Sequence, residues 1–389
     1  MKYDVVVIGA GIQGAGVAQA AAAAGYSVLV LEQTSVAAGT SSKSSKLIHG
    51  GLRYLESAQF GLVRESLYER ALLLKLAPEL VRLQSLHIPV YKEGTRSPLT
   101  IRAGLSLYAL LSGLDGDAFF SSLGRKQWHN LDGLKQENLR AVFRYQEAQT
   151  DDAALTRAVL HSAQSLGAEL QMPARFIGAE RHAKCCNVNY EVAGRQESVS
   201  CRVLVNCAGP WARNLLSLVT PALPLPEIEL VQGSHLLLPP VLQHYYYFEA
   251  PQDKRAVFAL PWKGKLLLGT TERSHSEAPE KSHCTPAEQE YLLTTLLHYF
   301  PQLQINPDQI ESFAGLRVLP RSEKNAFSRP REVLFDLDNQ AVPRVLSVMG
   351  GKLTTYRATA QIALARLKAS LPAKDMRAQT SELPLVPVD

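Results

Sequence analysis

The chain has 389 residues, of which 46% are hydrophobic and 20% charged, a composition that is ordinary for a globular protein and excludes a disordered, collagenous or coiled-coil chain. This length predicts two or three domains and a core large enough to fold without disulfides or a structural metal. Lys and Arg total 41 and Asp and Glu total 36, so the net charge is +5. No run of basic residues concentrates that charge, which argues against nucleic acid and suits an anionic metabolite or an acidic membrane surface equally well.

The cysteines indicate a reducing compartment, because they are sparse and form no Cys-x-x-Cys pair. No His-x-x-His motif or carboxylate cluster indicates a metal. The N-terminus enters an apolar strand directly and does not resemble a signal peptide. No run of 18 apolar residues is free of polar interruptions, so no transmembrane helix is expected.

The first elements form one βαβ unit. The β-branched segment Tyr3–Ile8 predicts a buried strand, the alanine-rich segment Ala15–Gly25 predicts a helix that ends in glycine, and Ser27–Leu31 predicts a second buried strand. Residues 33–53 are polar and rich in small side chains. Because this stretch lies inside a compact region, we interpret it as a loop that wraps a ligand.

The middle of the chain alternates helical and strand patterns. Helical periodicity runs over Phe60–Leu86, Arg102–Leu114 predicts a short buried or interfacial helix, and Asp151 and Asp152 cap a helix over Ala153–Leu166. The segment Arg202–Gly209 then predicts another buried strand.

The last third of the chain predicts a second sheet and a return to the first. Three segments predict an antiparallel sheet, namely Ile228–Leu238, Val257–Leu260 and Lys265–Thr271. A final strand over Arg344–Met349 leads through a Gly350-Gly351 turn into a helix over Lys352–Leu371.

A dinucleotide-binding motif lies at the first strand–helix turn. Gly9, Gly11 and Gly14 give the pattern G-x-G-x-x-G, and Glu32 follows Gly14 by 18 residues. Gly9 permits the tight turn, Gly11 lets the backbone approach a pyrophosphate, and Gly14 lets the helix pack closely on the strand. Glu32 would accept hydrogen bonds from the adenosine ribose. The helix N-terminus offers its N–H groups to the pyrophosphate.

Two downstream elements favour FAD over NAD. The strand ending at Asn206–Gly209 and the Gly350-Gly351 turn both resemble further nucleotide-wrapping segments far from the first motif. A flavin binds once and stays bound, so several distant segments can enclose it.

Seven further motifs run in order over almost the whole chain, at Ser44–Glu56, Asp151–Ala153, Asn206–Trp211, Gln232–His235, Gly269–Thr271, Gly315–Arg317 and Gly350–Arg357. In these motifs the chain resembles the FAD-dependent glycerol-3-phosphate dehydrogenases of the D-amino-acid-oxidase-like flavoprotein superfamily. The chain departs from the family at Gln232, where a lysine is common, and after Arg317, where Pro-Leu is often found. It also lacks the helical C-terminal domain that usually follows in the family.

The resemblance implies an α/β fold with a Rossmann-type FAD-binding domain and a smaller α+β substrate domain on a mostly antiparallel sheet. We expect residues 1–80, 145–222 and 315–389 to form the FAD-binding domain, and residues 81–144 and 223–314 to form the substrate domain.

The resemblance also implies the reaction. Noncovalent FAD would take a hydride at N5 from C2 of sn-glycerol 3-phosphate, giving dihydroxyacetone phosphate, and electrons would pass to quinone. The resemblance allows a cytoplasmic protein or one that is peripheral on the inner face of the cytoplasmic membrane, and it allows a homodimer.

The site residues implied by the resemblance fall into three groups. The cofactor group comprises Gly9, Gly11, Gly14, Glu32, Thr40, Ser41, Ser42, Ser45, Lys46, Leu47, Ala208, Gly209, Trp211, Gly350, Gly351, Lys352, Leu353 and Thr354. The substrate group comprises Arg53, Tyr54, Thr270, Arg317, Arg331 and Lys352, since arginine binds phosphate in a bidentate manner. The catalytic group comprises His49, His235 and Arg317. Either histidine suits proton acceptance near neutral pH, and the sequence does not choose between them.

Three other readings stay open from the sequence. The first is a flavoenzyme that oxidises an amine or a 2-hydroxy acid. The second is a flavin-binding subunit that needs a partner chain for activity. The third is a nicotinamide-dependent enzyme.

Overall fold

The structure is a computed structural model that describes residues 1–113, 117, 119–321 and 333–388. Arg331, predicted to bind substrate, lies outside these residues. The helices of the described part are α1 (Ile12–Ala23), α2 (Phe60–Leu76), α3 (Pro98–Leu111), α4 (Asp152–Ser165), α5 (Ala212–Leu216), α6 (Pro286–Tyr299) and α7 (Tyr356–Leu367).

The strands alternate with these helices along the chain. They are β1 (Tyr3–Ile8), β2 (Val28–Leu31), β3 (Leu47–Ile48), β4 (Val81–Tyr91), β5 (Ser121–Ser122), β6 (Leu139–Thr150), β7 (Glu169–Gln171), β8 (Arg175–Arg181), β9 (Cys186–Val192), β10 (Arg195–Asn206), β11 (Val219–Thr220), β12 (Ile228–Leu238), β13 (Tyr245–Glu249), β14 (Ala256–Trp262), β15 (Lys265–Gly269), β16 (Arg273–His275), β17 (Glu311–Pro320), β18 (Val333–Leu337) and β19 (Val345–Gly350).

The first sheet has a parallel centre with strand order β7-β2-β1-β10-β19. Its inner strands are continuous apolar runs, and all six residues of β1 are buried, as expected for strands covered on both faces. The antiparallel strands β8 and β9 extend the N-terminal half of β10, and β18 pairs with β19. This arrangement confirms the predicted Rossmann-type domain.

Helices α1, α4 and α7 cover one face of the first sheet. The alanine-rich α1 is almost entirely buried because its small side chains let α4 and α7 approach closely. At Gly16 the approach leaves no room for a side chain, since a Cβ there would lie 2.7 Å from Cδ2 of Tyr356 on α7.

The second sheet is mostly antiparallel, as predicted. Strand β12 pairs with β17 over ten residues and with β15 on its other side, and the only parallel pairing among its described strands is that of β13 with β4. Helix α6 packs on this sheet through Leu292 and Leu296, which are completely buried in its core.

Two sequence expectations need correction. The helical periodicity over Phe60–Leu86, broken by Pro78, does not resume beyond it: α2 ends at Leu76, and residues from Val81 onward form β4, paired with β6. The last helix begins at Tyr356 and not at Lys352. Strand β17, which contains residue 315, pairs with β12 of the second sheet, and β3 joins that sheet too. The domain ranges themselves stay a prediction.

The Gly16 contact predicts a stability difference between two glycine variants. Gly16→Ala should lower the free energy of unfolding by about 1–3 kcal/mol, because the methyl group displaces the Tyr356 ring in a packed interface. Gly61→Ala is the matched control: its Cβ meets nothing within 4 Å on exposed α2, so it should raise stability by about 0.5–1 kcal/mol. Denaturant unfolding measures both, and equal effects would contradict the packing described.

Candidate active site

A cavity of about 660 Å³ opens at the carboxyl ends of the parallel strands. Its wall contains Gly9 after β1, Glu32 after β2, Ala208 after β10 and Gly350 at the end of β19. Ligands of open α/β sheets bind at this edge, and the volume lies within the range of cofactor and small-molecule sites.

The turn between β1 and α1 is closely packed around Gly9 and Gly14. Gly9 has a φ of +97°, and a Cβ there would lie 2.8 Å from the Cys207 carbonyl oxygen. A Cβ on Gly14 would lie 1.9 Å from the Gly9 oxygen. Gly11 precedes α1 and has no side chain to cap it, and the Ile12 N–H that follows donates to Ser41 Oγ.

Glu32 lines the cavity directly after β2. Its Oε2 accepts the Ala10 N–H at 2.8 Å and its Oε1 accepts the Thr34 N–H at 2.9 Å. Each carboxylate oxygen has a further lone pair, so the carboxylate can still accept a ribose hydroxyl. The ribose-binding role of Glu32 stays a prediction.

Residues 39–51, which we call the site loop, are held by a buried ion pair. The Lys46 ammonium lies 2.7 Å from Asp152 Oδ1, and the two side chains are 8% and 1% exposed. The Ser44 N–H and hydroxyl both donate to the other Asp152 oxygen, and the Ser42 carbonyl accepts from Lys46. Removing one member of such a pair costs about 3–5 kcal/mol.

Further contacts fix the site loop to three other elements. Ser41 Oγ accepts the Ile12 N–H at 2.9 Å, at the start of α1. Thr40 donates its hydroxyl to the Leu316 carbonyl on β17 at 2.7 Å. The His49 N–H donates to Thr354 Oγ1 at 3.2 Å. The loop thereby joins the first sheet, the second sheet and the segment before α7.

A second buried ion pair supports the end of the site loop. The Gly50 N–H donates to the Tyr108 hydroxyl at 2.9 Å, Tyr108 in turn donates to Glu147, and Arg70 Nη1 lies 2.8 Å from Glu147 Oε2. Burial raises the pKa of the Tyr108 hydroxyl well above its usual value, so it stays a donor. This chain fixes the backbone directly after His49.

His235 lies on β12 and lines the cavity as a buried, neutral imidazole. Its Nε2 is 2.9 Å from Ser45 Oγ, and its ring stacks on Phe313 with centroids 4.9 Å apart. Its Nδ1 is buried and has no hydrogen-bond partner among the described residues. Burial, with smaller contributions from Lys46 and Arg317, lowers the pKa of His235 from 6.5 to about 3. The opposing position on β15 is Gly269, where a Cβ would lie 2.2 Å from the ring.

Arg317 on β17 lies on the same wall of the cavity. Its Nη2 donates to the Thr271 carbonyl at 3.1 Å, and its Nη1 lies 3.5 Å from Glu272 Oε1. A Cβ on Gly233 would lie 2.9 Å from Arg317 and 2.6 Å from the Thr270 hydroxyl. The missing side chain at Gly233 therefore leaves space for these two groups.

The buried carboxylate of Glu288 binds residues next to this wall of the cavity. Glu288 accepts hydrogen bonds from the hydroxyls of Ser234 and Thr271 and from the Gln232 amide, at 2.6 to 2.8 Å. Burial raises the pKa of Glu288, but these donors outweigh it and hold the pKa below its usual value. Gln232, where the family resemblance leads us to expect a lysine, makes this contact without a positive charge.

Most of the predicted residues line this one cavity. They are Gly9, Gly11, Glu32, Thr40, Ser41, Ser45, Leu47, His49, Ala208, Gly209, Trp211, His235, Thr270, Arg317, Gly350, Gly351, Lys352, Leu353 and Thr354. Because α7 begins only at Tyr356, residues 351–354 would meet a ligand from a turn and not from a helix terminus.

Five predicted residues in the described part do not line the cavity. Gly14 lies behind the turn, Ser42 turns its hydroxyl to the Gly39 carbonyl, and Lys46 is bound to Asp152. Tyr54 is buried, with the Lys352 ammonium 4.1 Å from its ring centroid. This environment favours a packing role for Tyr54 over a substrate contact. Arg53 lies in the neighbouring turn Leu52–Leu55.

Sequence reasoning missed several functional positions. Lys43 lines the cavity beside Arg317, and Asp152 is both a helix residue and the anchor of Lys46. The pair of acidic residues at the start of α4 is a signal for the second role, since one carboxylate suffices for the N-cap. The Tyr108–Glu147–Arg70 chain had no sequence signal, because its members come from three distant elements.

The residues present fit FAD. The glycine turn and the start of α1 would provide a pyrophosphate site, Glu32 a ribose site, and the Gly350–Thr354 turn a polar edge for the ring. Within the described part of the chain, no helix is long and apolar enough to cross a membrane and no side-chain group suits a metal ion.

Comparison with known proteins agrees with this fit. The profile of the FAD dependent oxidoreductase family matches residues 4–364. A glycerol-3-phosphate dehydrogenase from Pseudomonas tolaasii is 38% identical over 376 residues, which cover 94% of this chain and 71% of that protein. A D-erythritol 1-phosphate dehydrogenase from Brucella abortus is 34% identical over 374 residues, which cover 95% of this chain and 74% of that protein.

A solved structure extends the similarity to three dimensions. The glycerol-3-phosphate dehydrogenase from Bacillus halodurans, solved in complex with FAD, superposes with a TM-score of 0.76 at 25% identity. The match covers 99% of this chain and 68% of that one.

The neutral state of His235 predicts a pH dependence of stability. Below pH 6.5 the unfolded chain protonates this histidine, whereas the folded chain does not until the pH is near 3, so stability falls as the pH falls through this window. The stability difference between wild type and His235→Gln should decrease by up to about 1.4 kcal/mol per pH unit. Denaturant titrations from pH 7.5 to 4.5 measure it, with exposed His129→Gln as the control. A difference that stays constant with pH would contradict the assignment.

The Tyr108 hydroxyl predicts a local change at the site loop. Tyr108→Phe removes the hydroxyl that accepts the Gly50 N–H and donates to Glu147 Oε1, and it should lower the free energy of unfolding by about 1–3 kcal/mol. Hydrogen exchange of the peptide containing His49 and Gly50 should accelerate. Tyr68→Phe, on exposed α2, should leave both quantities at the wild-type value. Unchanged exchange at Gly50 in Tyr108→Phe would show that the hydroxyl does not hold the loop.

Proposed function

Because this chain belongs to the FAD-dependent oxidoreductase family, we propose that it is a dehydrogenase converting sn-glycerol 3-phosphate to dihydroxyacetone phosphate. The observation that carries the proposal is the juxtaposition of His235 and Arg317 on one wall of the cofactor cavity. The His235 imidazole can accept a hydroxyl proton, and the Arg317 guanidinium can bind a phosphate group. The relatives named for this reaction supply independent support.

The cofactor supplies hydride acceptance at N5, and the chain supplies position, charge and a proton acceptor. The glycine turn and Glu32 would hold the adenosine and pyrophosphate, and the Gly350–Thr354 turn would hold the ring edge. Arg317 would bind the phosphate oxygens through charge-assisted hydrogen bonds. Thr270, beside Arg317, would bind the same end of the substrate, with Arg53, Arg331 and Lys352 as further cations for it.

His235 suits the proton transfer because it is neutral and has an unsatisfied nitrogen. A substrate hydroxyl at Nδ1 would supply the missing partner, whose absence costs about 1–3 kcal/mol. Its low pKa comes in part from the positive charges of Lys46 and Arg317. A phosphate dianion beside Arg317 compensates these charges and raises the proton affinity of His235 when substrate is bound.

His49 is the second candidate for the proton acceptor. It lies on the site loop, lines the same cavity, and is more exposed than His235. The His49 N–H donates to Thr354 Oγ1, and the next N–H, that of Gly50, donates to the Tyr108 hydroxyl, so the backbone at His49 is fixed. We therefore assign the proton transfer to this pair of histidines.

The electron acceptor is proposed to be quinone, reached at a membrane surface. Helix α3 supports this, because Leu99 and Leu110 are 78% and 61% exposed and Arg102 lies between them. An exposed apolar face with basic residues suits the surface of an anionic bilayer. The proposed location is the cytoplasm with peripheral contact to the membrane, and the proposed assembly is a homodimer.

A longer phosphorylated polyol is the second candidate substrate. The relative from Brucella abortus is named for D-erythritol 1-phosphate and is matched over 74% of its length. Its phosphate and hydroxyl groups would bind Arg317 and His235 as those of sn-glycerol 3-phosphate would. The two substrates would differ only in the length of carbon chain beyond C2.

Anaerobic flavin reduction tests the proposal. Addition of sn-glycerol 3-phosphate to the yellow holoenzyme without oxygen should bleach its long-wavelength absorbance, whereas glycerol, 2-hydroxy acids and amines should not. Arg317→Met should raise KM by about 10- to 100-fold, the value of a charge-assisted hydrogen bond. Arg273→Met, at an exposed position on β16, is the matched control. Bleaching by an amine or hydroxy acid alone would overturn the substrate assignment.

A further inference from the structure

Lys43 is a cation in the cavity wall that the reaction described above does not use. It follows the turn Thr40–Ser42 and is half-buried. Its ammonium has no hydrogen bond or ion pair with any described residue, whereas the neighbouring Lys46 is paired with Asp152. An unpaired ammonium in a ligand cavity indicates that the ligand carries the opposite charge there.

A pair of opposed glycines brings Lys43 close to Arg317. Gly233 on β12 and Gly315 on β17 are register partners, so their Cβ positions would lie side by side on one face of the sheet. A Cβ on Gly315 would lie 3.0 Å from Lys43 Cβ and 2.7 Å from the Lys43 carbonyl oxygen. The position at Gly233 is occupied by Arg317 and Thr270. Lys43 and Arg317 therefore lie on either side of the space that the missing side chains of Gly233 and Gly315 leave on the sheet.

Strand geometry sets the distance between the two cations. Gly315 and Arg317 are two residues apart on β17 and project to the same face, with Cα atoms about 7 Å apart. Lys43 Cβ is in contact with the Gly315 position, so the flexible lysine chain and the arginine can reach oxygens of one phosphate group. His235, two residues from Gly233, projects to this face as well.

The carboxylates that line the cavity have partners other than Lys43. Asp152 is paired with Lys46, Glu280 accepts from the indole N–H of Trp211, and Glu32 accepts two backbone N–H groups. Glu272 lies 3.5 Å from Arg317 and offsets part of its charge. A phosphate monoester carries about two negative charges at neutral pH, so it can bind more than one cation of the wall.

We propose that Lys43 is a further phosphate-binding residue, which acts with Arg317 and the other cations proposed for the phosphate to select a phosphate monoester dianion over a neutral polyol or a monoanion. This inference rests on the proposed function and adds a residue that contributes to its charge specificity. Lys43 would contact the substrate directly, through one of its three N–H donors. The alternative, that Lys43 binds the pyrophosphate of FAD, is an outcome of the test.

The test compares Lys43→Met, Lys43→Arg and Lys75→Met as holoenzymes. Lys75→Met removes the same charge from an exposed position on α2. Three quantities are measured: KM and kcat for sn-glycerol 3-phosphate, the Kd of inorganic phosphate from the change it causes in the flavin spectrum, and the FAD content after dialysis.

Lys43→Met should raise both KM and the phosphate Kd by about 10-fold or more, with kcat changed by much less, since it removes one charge-assisted contact. Lys43→Arg should have a KM and a phosphate Kd near the wild-type values, and Lys75→Met should equal wild type in both quantities. Unchanged phosphate Kd in Lys43→Met would overturn the inference, as would loss of FAD with unchanged phosphate Kd. The phosphate titration does not require turnover, so a wild-type protein that binds phosphate but is not reduced by sn-glycerol 3-phosphate would overturn the proposed function alone.

Discussion

The buried ion pair between Lys46 and Asp152 is the constraint on which the rest of the site depends. Residues 39–51 are polar and rich in glycine and serine, and such a segment has little tendency to keep one conformation. The Lys46–Asp152 pair holds it between the two sheets, and the pair tolerates burial because Ser42 and Ser44 supply the remaining hydrogen bonds. From this anchor the loop places Ser41 at the helix terminus, Ser45 on His235 and His49 at the cavity.

The electrostatics of the cavity follow from the same arrangement. Of the three cations Lys43, Lys46 and Arg317, one is neutralised by a carboxylate and two keep positive charge that a ligand can balance. Lys46 is neutralised by Asp152, while Arg317 is partly offset by Glu272 and Lys43 is unpaired among the described residues. His235 stays neutral because it is buried next to two of these positive charges. We therefore expect an anionic substrate to stabilise the site and to raise the proton affinity of His235, the proposed proton acceptor.

The sequence predicts the parts of this site that are local in the chain. The glycine turn, Glu32 and the strand that ends at Asn206 follow from motif spacing and apolar periodicity, and their positions agree with the structure. The boundaries of α2 and α7 were misjudged, because apolar residues in β4 fit a helical period and because the Gly350–Thr354 turn continues to Thr355. The Lys46–Asp152 pair, the Tyr108–Glu147–Arg70 chain and the Lys43 position were missed, since each depends on contacts between residues distant in sequence.

The central claim is that the cavity positions C2 of a phosphorylated polyol for hydride removal. The most direct test is the rate of anaerobic flavin reduction with sn-glycerol 3-phosphate deuterated at C2, compared with the unlabelled substrate. The account predicts that the deuterated substrate reduces the flavin more slowly, by a primary isotope effect, while the phosphate affinity is the same for both. Reduction at equal rates, or no reduction by either substrate, would contradict it.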